Sequence, residues 1–170
     1  MKVILKAIDA ISSWTGKSVQ WLAVVLVLVM TFEVTMRYVF DSPTLWAFET
    51  SIMLGATIYV LGWAYAHLHR LHLRVDVFYV RLSLRGKALI DALGTLLLAF
   101  PIMAIMIINS VNYTAIAWAQ KERLDLTIWY PPAGPLRTVI ALGFTLLTLQ
   151  CLAHLIRDVY MLVRNKPYDS

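Results

Sequence analysis

Four apolar stretches, separated by short charged or turn-rich segments, organise this 170-residue chain. From Ser18 the chain carries no charge until Glu33, and continuing through Arg37 to Phe40 gives a stretch adequate for a bilayer, which needs about 20 residues. Uncharged runs follow from Thr50 to His69, Ala92 to Gln120 and Thr138 to Ile156, each near or above the roughly 18-residue threshold for a membrane helix. The pattern predicts spans at about 18–40, 47–68, 88–118 and 136–162. Hydrocarbon leaves no partner for open backbone groups, and the runs lack the alternation of barrel strands, so the spans are helices. The expected fold is an all-α membrane protein of four transmembrane helices, one domain over residues 1–170 with no internal repeat.

Two segments outside the spans are amphipathic. Val3, Ile4, Ala7, Ile8, Ile11 and Trp14 recur at helical spacing, with Lys6, Asp9, Ser13 and Lys17 on the other side, which predicts an N-terminal interfacial helix over about 3–16. A basic loop over about 69–87 follows span 2. Its 71–82 part combines alternation with a helical grouping of Leu71, Val75, Phe78 and Leu82, and is read as an in-plane helix after an extended start. Arg70, Arg74, Arg81 and Arg85 there are suited to lipid headgroups, at about 1 kcal/mol per basic residue near an anionic surface. Pro101 removes a hydrogen bond inside span 3 and predicts a kink. Residues Lys121 to Asp125 and the turn formers Pro131, Pro132, Gly134 and Pro135 form the connection to span 4.

Composition agrees with this picture. Apolar residues make up 60% and charged residues 15%, with a mean hydropathy of +0.71, which argues against a water-soluble domain and against disorder. The net charge of +5 would suggest nucleic acid in a soluble chain; here topology accounts for it. With the N-terminus in the cytoplasm, eleven of the fifteen Lys and Arg residues fall on the inner side, so the positive-inside rule predicts that both termini and the basic loop are cytoplasmic. No small-residue cleavage site follows the first apolar run, so span 1 is expected to stay as an anchor. The single cysteine, Cys151, excludes an intramolecular disulfide and a thiolate metal cluster.

Polar residues within the spans are the candidate chemistry. Glu33 and Arg37 stand four apart on one face of span 1, the spacing of an intrahelical ion pair, although an acid in a span is also a candidate proton or substrate site. Trp46 and Glu49 open span 2. The indole suits the interface, and the carboxylate suits either the helix N-terminus or a pairing with Arg37. Ser51, Gly55, Gly62 and Ala66 form a small-residue stripe along span 2 that admits close approach of another helix, inside the chain or outside it. His67, His69 and His72 at the inner end of span 2, with His154 on span 4, raise haem ligation. That requires two imidazoles facing one another at matching depth. An HxHxxH metal site is disfavoured because His67 and His69 diverge on a helix. No phosphate loop, nucleophile elbow or paired catalytic carboxylates occur, so neither enzymatic activity nor a cofactor is expected.

Taken together, Arg37-Tyr38-Val39-Phe40 followed by Pro43, Trp46 and Glu49, the run His72-Leu73-Arg74-Val75-Asp76, and Gly143, Leu149, Gln150 and Arg157 in span 4 resemble the small membrane subunit, the Q or DctQ type, of tripartite ATP-independent periplasmic (TRAP) transporters. The inner-loop run looks like the H-x-x-V-D signature of that family, which makes His72 and Asp76 candidate partner-interface residues. Phe48 stands where many members carry a second acid, and Ala141 where a proline often precedes the glycine of the last helix.

The resemblance implies a non-catalytic partner of a large many-span permease subunit, which carries the substrate and sodium sites, served by a periplasmic substrate-binding protein. The usual cargo of such systems is a small organic acid, a carboxylate or sulfonate, imported across the bacterial or archaeal inner membrane. The four helices offer no polar cluster at mid-membrane to hold a charged solute, so this chain is expected to brace the large subunit. Partner-interface candidates are Glu33, Arg37, Trp46, Glu49, Ser51, Gly55, Gly62, Ala66, His72 and Asp76. Two alternatives from other classes are a haem b-carrying four-helix anchor of a respiratory enzyme and a small self-dimerising exporter that uses Glu33.

Overall fold

The computed structural model describes residues 2–69, 82–164 and 168. Four long helical segments cross the molecule. They are α1 (Lys2–Tyr38), α2 (Ala47–Leu68), a third span built from α3 (Leu84–Gly94), a π-helical turn (Thr95–Ala99) and α4 (Phe100–Ala119), and α5 (Gly134–Arg164). All four are long and apolar enough to cross a membrane. The predicted spans each fall on one of them. The in-plane reading of 71–82, with Arg70, His72, Arg74, Asp76 and Arg81, lies outside the described residues.

The helices form an open row, not a closed bundle: α1 packs on α2, α2 on α5, and α5 on the third span, with a smaller α1–α5 contact. Glycines set the close crossings. A Cβ at residue 143 would sit 2.2 Å from Val60 Cγ1 and 2.8 Å from the Val60 carbonyl oxygen, so Gly143 lets the backbone of α2 lie directly on α5. A Cβ at residue 16 would fall 2.3 Å from the Tyr65 ring, so Gly16 seats that ring between α1 and α2.

The amphipathic segment expected over 3–16 is helical, and it is not a separate element: it runs into span 1 without a break. Gly16, the one residue there that could loosen the helix, is held by Tyr65. At 1.5 Å per residue α1 is about 55 Å long, well beyond the roughly 30 Å hydrocarbon core. Of the predicted apolar stripe, Val3, Ile4, Ala7, Ile11 and Trp14 are exposed and Ile8 is half-buried, so the face turned to α5 is a different one. Leu5 and Ile8 pack with Ala153, Ile156 and Tyr160 of α5 and with Tyr168.

The kink expected at Pro101 takes the form of the π-helical turn, where Phe100 N–H donates to the Thr95 carbonyl. The wide turn ends just before the proline, whose missing N–H and bulky ring are incompatible with regular winding against the preceding turn. On the α1 N-terminal side, Ser83 caps α3 by accepting from Gly86 N–H at 3.2 Å, and Arg85 is exposed in the first turn. On the opposite side, the 120–133 connection begins with Lys121 at φ 51°, where Glu122 N–H closes on the Ala117 carbonyl, a helix-ending left-handed turn.

Candidate functional site

Polar side chains gather at the two ends of the row. At the end away from the N-terminus, Glu33 is buried and both its oxygens are used. Oε1 accepts from Arg37 at 2.6 and 3.2 Å, and Oε2 accepts from the Thr44 backbone N–H at 3.0 Å and from the Thr44 hydroxyl. The ion pair expected from i,i+4 spacing is present, and the same carboxylate also fastens the turn between α1 and α2. Asp41, at φ 47°, makes the reversal that brings Thr44 back to it.

Glu49 does not pair with Arg37. It is fully buried, and its Oε1 accepts the backbone N–H and the hydroxyl of Thr127, each at 2.6 Å, from a connection 78 residues further along the chain. The first turn of α2 thus holds the long loop between the third span and α5. The helix-dipole position foreseen for this acid is occupied, and the partner is one that spacing along the chain gave no means of finding. Trp46 precedes α2 and stacks on Phe32 of α1, ring centroids 5.9 Å apart. In the same layer Arg137 pairs with Glu122, donates to the Tyr113 carbonyl at 3.3 Å and lies 5.4 Å from the Tyr113 ring centroid.

At the N-terminal side a second cluster joins α1 to α5. Ser12 donates to Gln150 Oε1 at 2.9 Å, Gln150 Nε2 donates to Asp9 Oδ1 at 3.0 Å, and Arg157 pairs with Asp9 Oδ2. Ser12 and Gln150 are almost wholly buried. Sequence reasoning put Asp9 on a solvated face and missed this network. The available signal was Gln150, an amide inside an otherwise apolar run, which needs a polar partner from another helix.

His67 and His154 do meet, as their inner-end positions suggested, but edge to face, with centroids 4.9 Å apart at 86°. Axial ligation would need a porphyrin plane between two imidazoles aimed at its centre, and rings in direct edge contact leave no room for one. His69 packs on Tyr65 at 4.4 Å. Among the described residues, no three of His, Cys, Asp and Glu converge as metal ligands.

The small-residue stripe divides. Ser51 donates to the Ala47 carbonyl at 2.7 Å and contacts Met30 Sδ at 3.2 Å, and Ala66 is half-buried. Gly55 and Gly62 face open space, with nothing within 4 Å of an added Cβ. The chain's own helix crossings use Gly16 and Gly143 instead.

Residues 26–160 match the family model described as tripartite ATP-independent periplasmic transporters, DctQ component. A comparison with curated proteins finds no match.

Proposed function

The chain belongs to the DctQ component family of tripartite ATP-independent periplasmic transporters, and from that premise we propose that this small permease subunit acts as the stationary brace of the large permease subunit. A multi-pass membrane protein of this family is a transporter component and not an enzyme. In our reading the complex lies in a bacterial or archaeal inner membrane and takes up a small organic acid, carboxylate or sulfonate, with sodium. A periplasmic binding protein delivers the solute. Both termini are cytoplasmic on the charge asymmetry, with Arg70, Arg74, Arg81 and Arg85 set toward lipid phosphates. Glu33, Arg37, Trp46 and Glu49 then order the outer surface, the open Gly55–Gly62 face is available to a partner helix, and His72 and Asp76 belong to an inner contact.

One observation carries the reading: among the described residues, buried Glu33, Glu49 and Gln150 each bond to another element of this chain, near the two ends of the row. Glu33 and Glu49 hold connections, and Gln150 joins α1 to α5 through Ser12 and Asp9. What the chain presents outward in the membrane is largely apolar, the Asn109 and Asn112 amides of α4 apart. Of the most apolar stretch of the third span, 6% is buried within the chain. Such a surface offers packing area, not a site for a charged solute.

Affinity purification of the tagged chain from membranes in mild detergent tests this. The expected result is a large membrane protein at fixed stoichiometry, with no solute accumulation by proteoliposomes holding the chain alone. Purification without a partner, together with unaided uptake or export, would replace the bracing role by self-sufficient transport.

A further inference from the structure

The third span sits at the edge of the row and packs on α5 alone to any substantial degree among the described residues. Within α4 the inward stripe is Met103, Ile107, Ser110, Thr114 and Ala117, all buried or half-buried. A second stripe, Ile102, Ile105, Asn109, Asn112 and Ile116, repeats at spacings of three and four, and every member is exposed. At 3.6 residues per turn the two stripes lie roughly 140° apart. The second therefore lies on the outward side of α4, with Asn109 at the border of the groove that Met106, Ser110 and Tyr113 form with Arg137, Ile140 and Phe144 of α5. Alternating three-and-four spacing is the seam geometry by which one helix receives another.

Two positions of this seam are amides. Neither the Asn109 nor the Asn112 side chain has a hydrogen-bond partner among the described residues. Asn109 lies about 15 Å along the axis from the end of α4, and its short side chain cannot reach the headgroups as lysine or arginine can. Hydrocarbon offers an amide no donor or acceptor, whereas amides are effective cross-helix contacts and, at a seam position, fix register. The contrast with Gln150 is internal to the molecule: that amide is buried and bonded to Ser12 and Asp9.

We propose that the Ile102–Ile116 seam of α4 docks a membrane helix of the large permease subunit, whose hydrogen-bonding groups meet Asn109 and Asn112. This rests on the bracing role above, in which every copy of the chain has a membrane partner. The requirement on the partner is an apolar helix face carrying hydroxyl, amide or open backbone groups at the depth of Asn109.

The test co-expresses the tagged chain with its large subunit and compares the wild-type chain, Asn109→Leu with Asn112→Leu, and Asn109→Gln with Asn112→Gln. The leucine pair is expected to lower recovered large subunit about tenfold, with the glutamine pair retaining most of it. Leucine on an exposed membrane face leaves the chain's own packing intact, and Val27→Leu, at an exposed position of α1, serves as the reference expected to recover large subunit as the wild-type chain does. A second measurement places a cysteine at Asn112 in a Cys151→Ala background and cross-links in membranes, where the product should contain the large subunit. If the wild-type chain captures no large subunit, the bracing role itself fails. If it does so but the leucine pair captures equally well, or the cysteine links only to a second copy of this chain, the seam assignment is overturned while bracing stands.

Discussion

Gly143→Ala should loosen the molecule at its central crossing. The added methyl would stand 2.2 Å from Val60 Cγ1 and 2.8 Å from the Val60 carbonyl oxygen, against the 3.4 Å at which ordinary contact begins. The valine methyl can rotate aside. The carbonyl belongs to the backbone of α2, so relief requires α2 and α5 to separate by about 0.6 Å at this point. A gap of about 0.5–1 Å forfeits roughly a quarter to a half of each van der Waals contact across it. The contacts at risk include Trp63 on Phe144, 5.6 Å between centroids, and His67 on His154. Overpacking of this kind costs about 1–3 kcal/mol. Taking about 2 kcal/mol, the folding equilibrium falls about 30-fold and the melting temperature by about 4–8 °C for a chain of this size. Thermal unfolding followed by tryptophan fluorescence in one detergent, with Gly62→Ala as the reference, reads the difference directly. Gly62 has nothing within reach of a new Cβ, so its alanine variant should melt with the wild-type chain. Equal melting of Gly143→Ala and Gly62→Ala would refute the claim that the backbone contact sets this crossing.

Three other outcomes are expected. Glu49→Ala removes the acceptor of both Thr127 bonds, and limited proteolysis should then cut the 120–133 connection at least several-fold faster, while Glu49→Gln, which keeps a carbonyl acceptor, should be intermediate. Gln150→Leu strands Ser12 and one oxygen of Asp9, costing about 1–3 kcal/mol, and should lower the yield of a disulfide engineered between α1 and α5 away from that layer. Glu33→Gln should leave uptake by the assembled transporter within a few-fold of wild type, because both carboxylate oxygens are taken up by Arg37 and Thr44; complete loss of uptake with the complex intact would return Glu33 to the status of a transport site.

Apolar run length carried the spans, because a bilayer imposes a length that the residues must match. The Glu33–Arg37 pair was legible for a similar reason: four residues on a helix is a distance. Contacts between elements remote in the chain were not legible. Nothing in the spacing of Glu49 points to Thr127, and nothing distinguishes Gly143, under a neighbouring backbone, from Gly55, open to its surroundings. The N-terminal stretch is helical, as its periodicity predicts, but α5 is met by the face carrying Leu5, Ile8, Asp9 and Ser12, while Val3, Ile4, Ala7, Ile11 and Trp14 stay exposed. Periodicity reports that a face is apolar and is silent on which face a neighbouring helix takes.

The uninterrupted α1 makes the chain a stiff lever. Its two extremities are pinned, by Thr44 and Arg37 around Glu33 and by Gln150 and Arg157 around Asp9, with Tyr65 wedged on Gly16 between them. Over about 55 Å, a tilt of only about 10° would carry one extremity roughly 10 Å sideways relative to the other. A displacement applied at one membrane surface is therefore felt at the opposite one, unless the whole row turns as a rigid body.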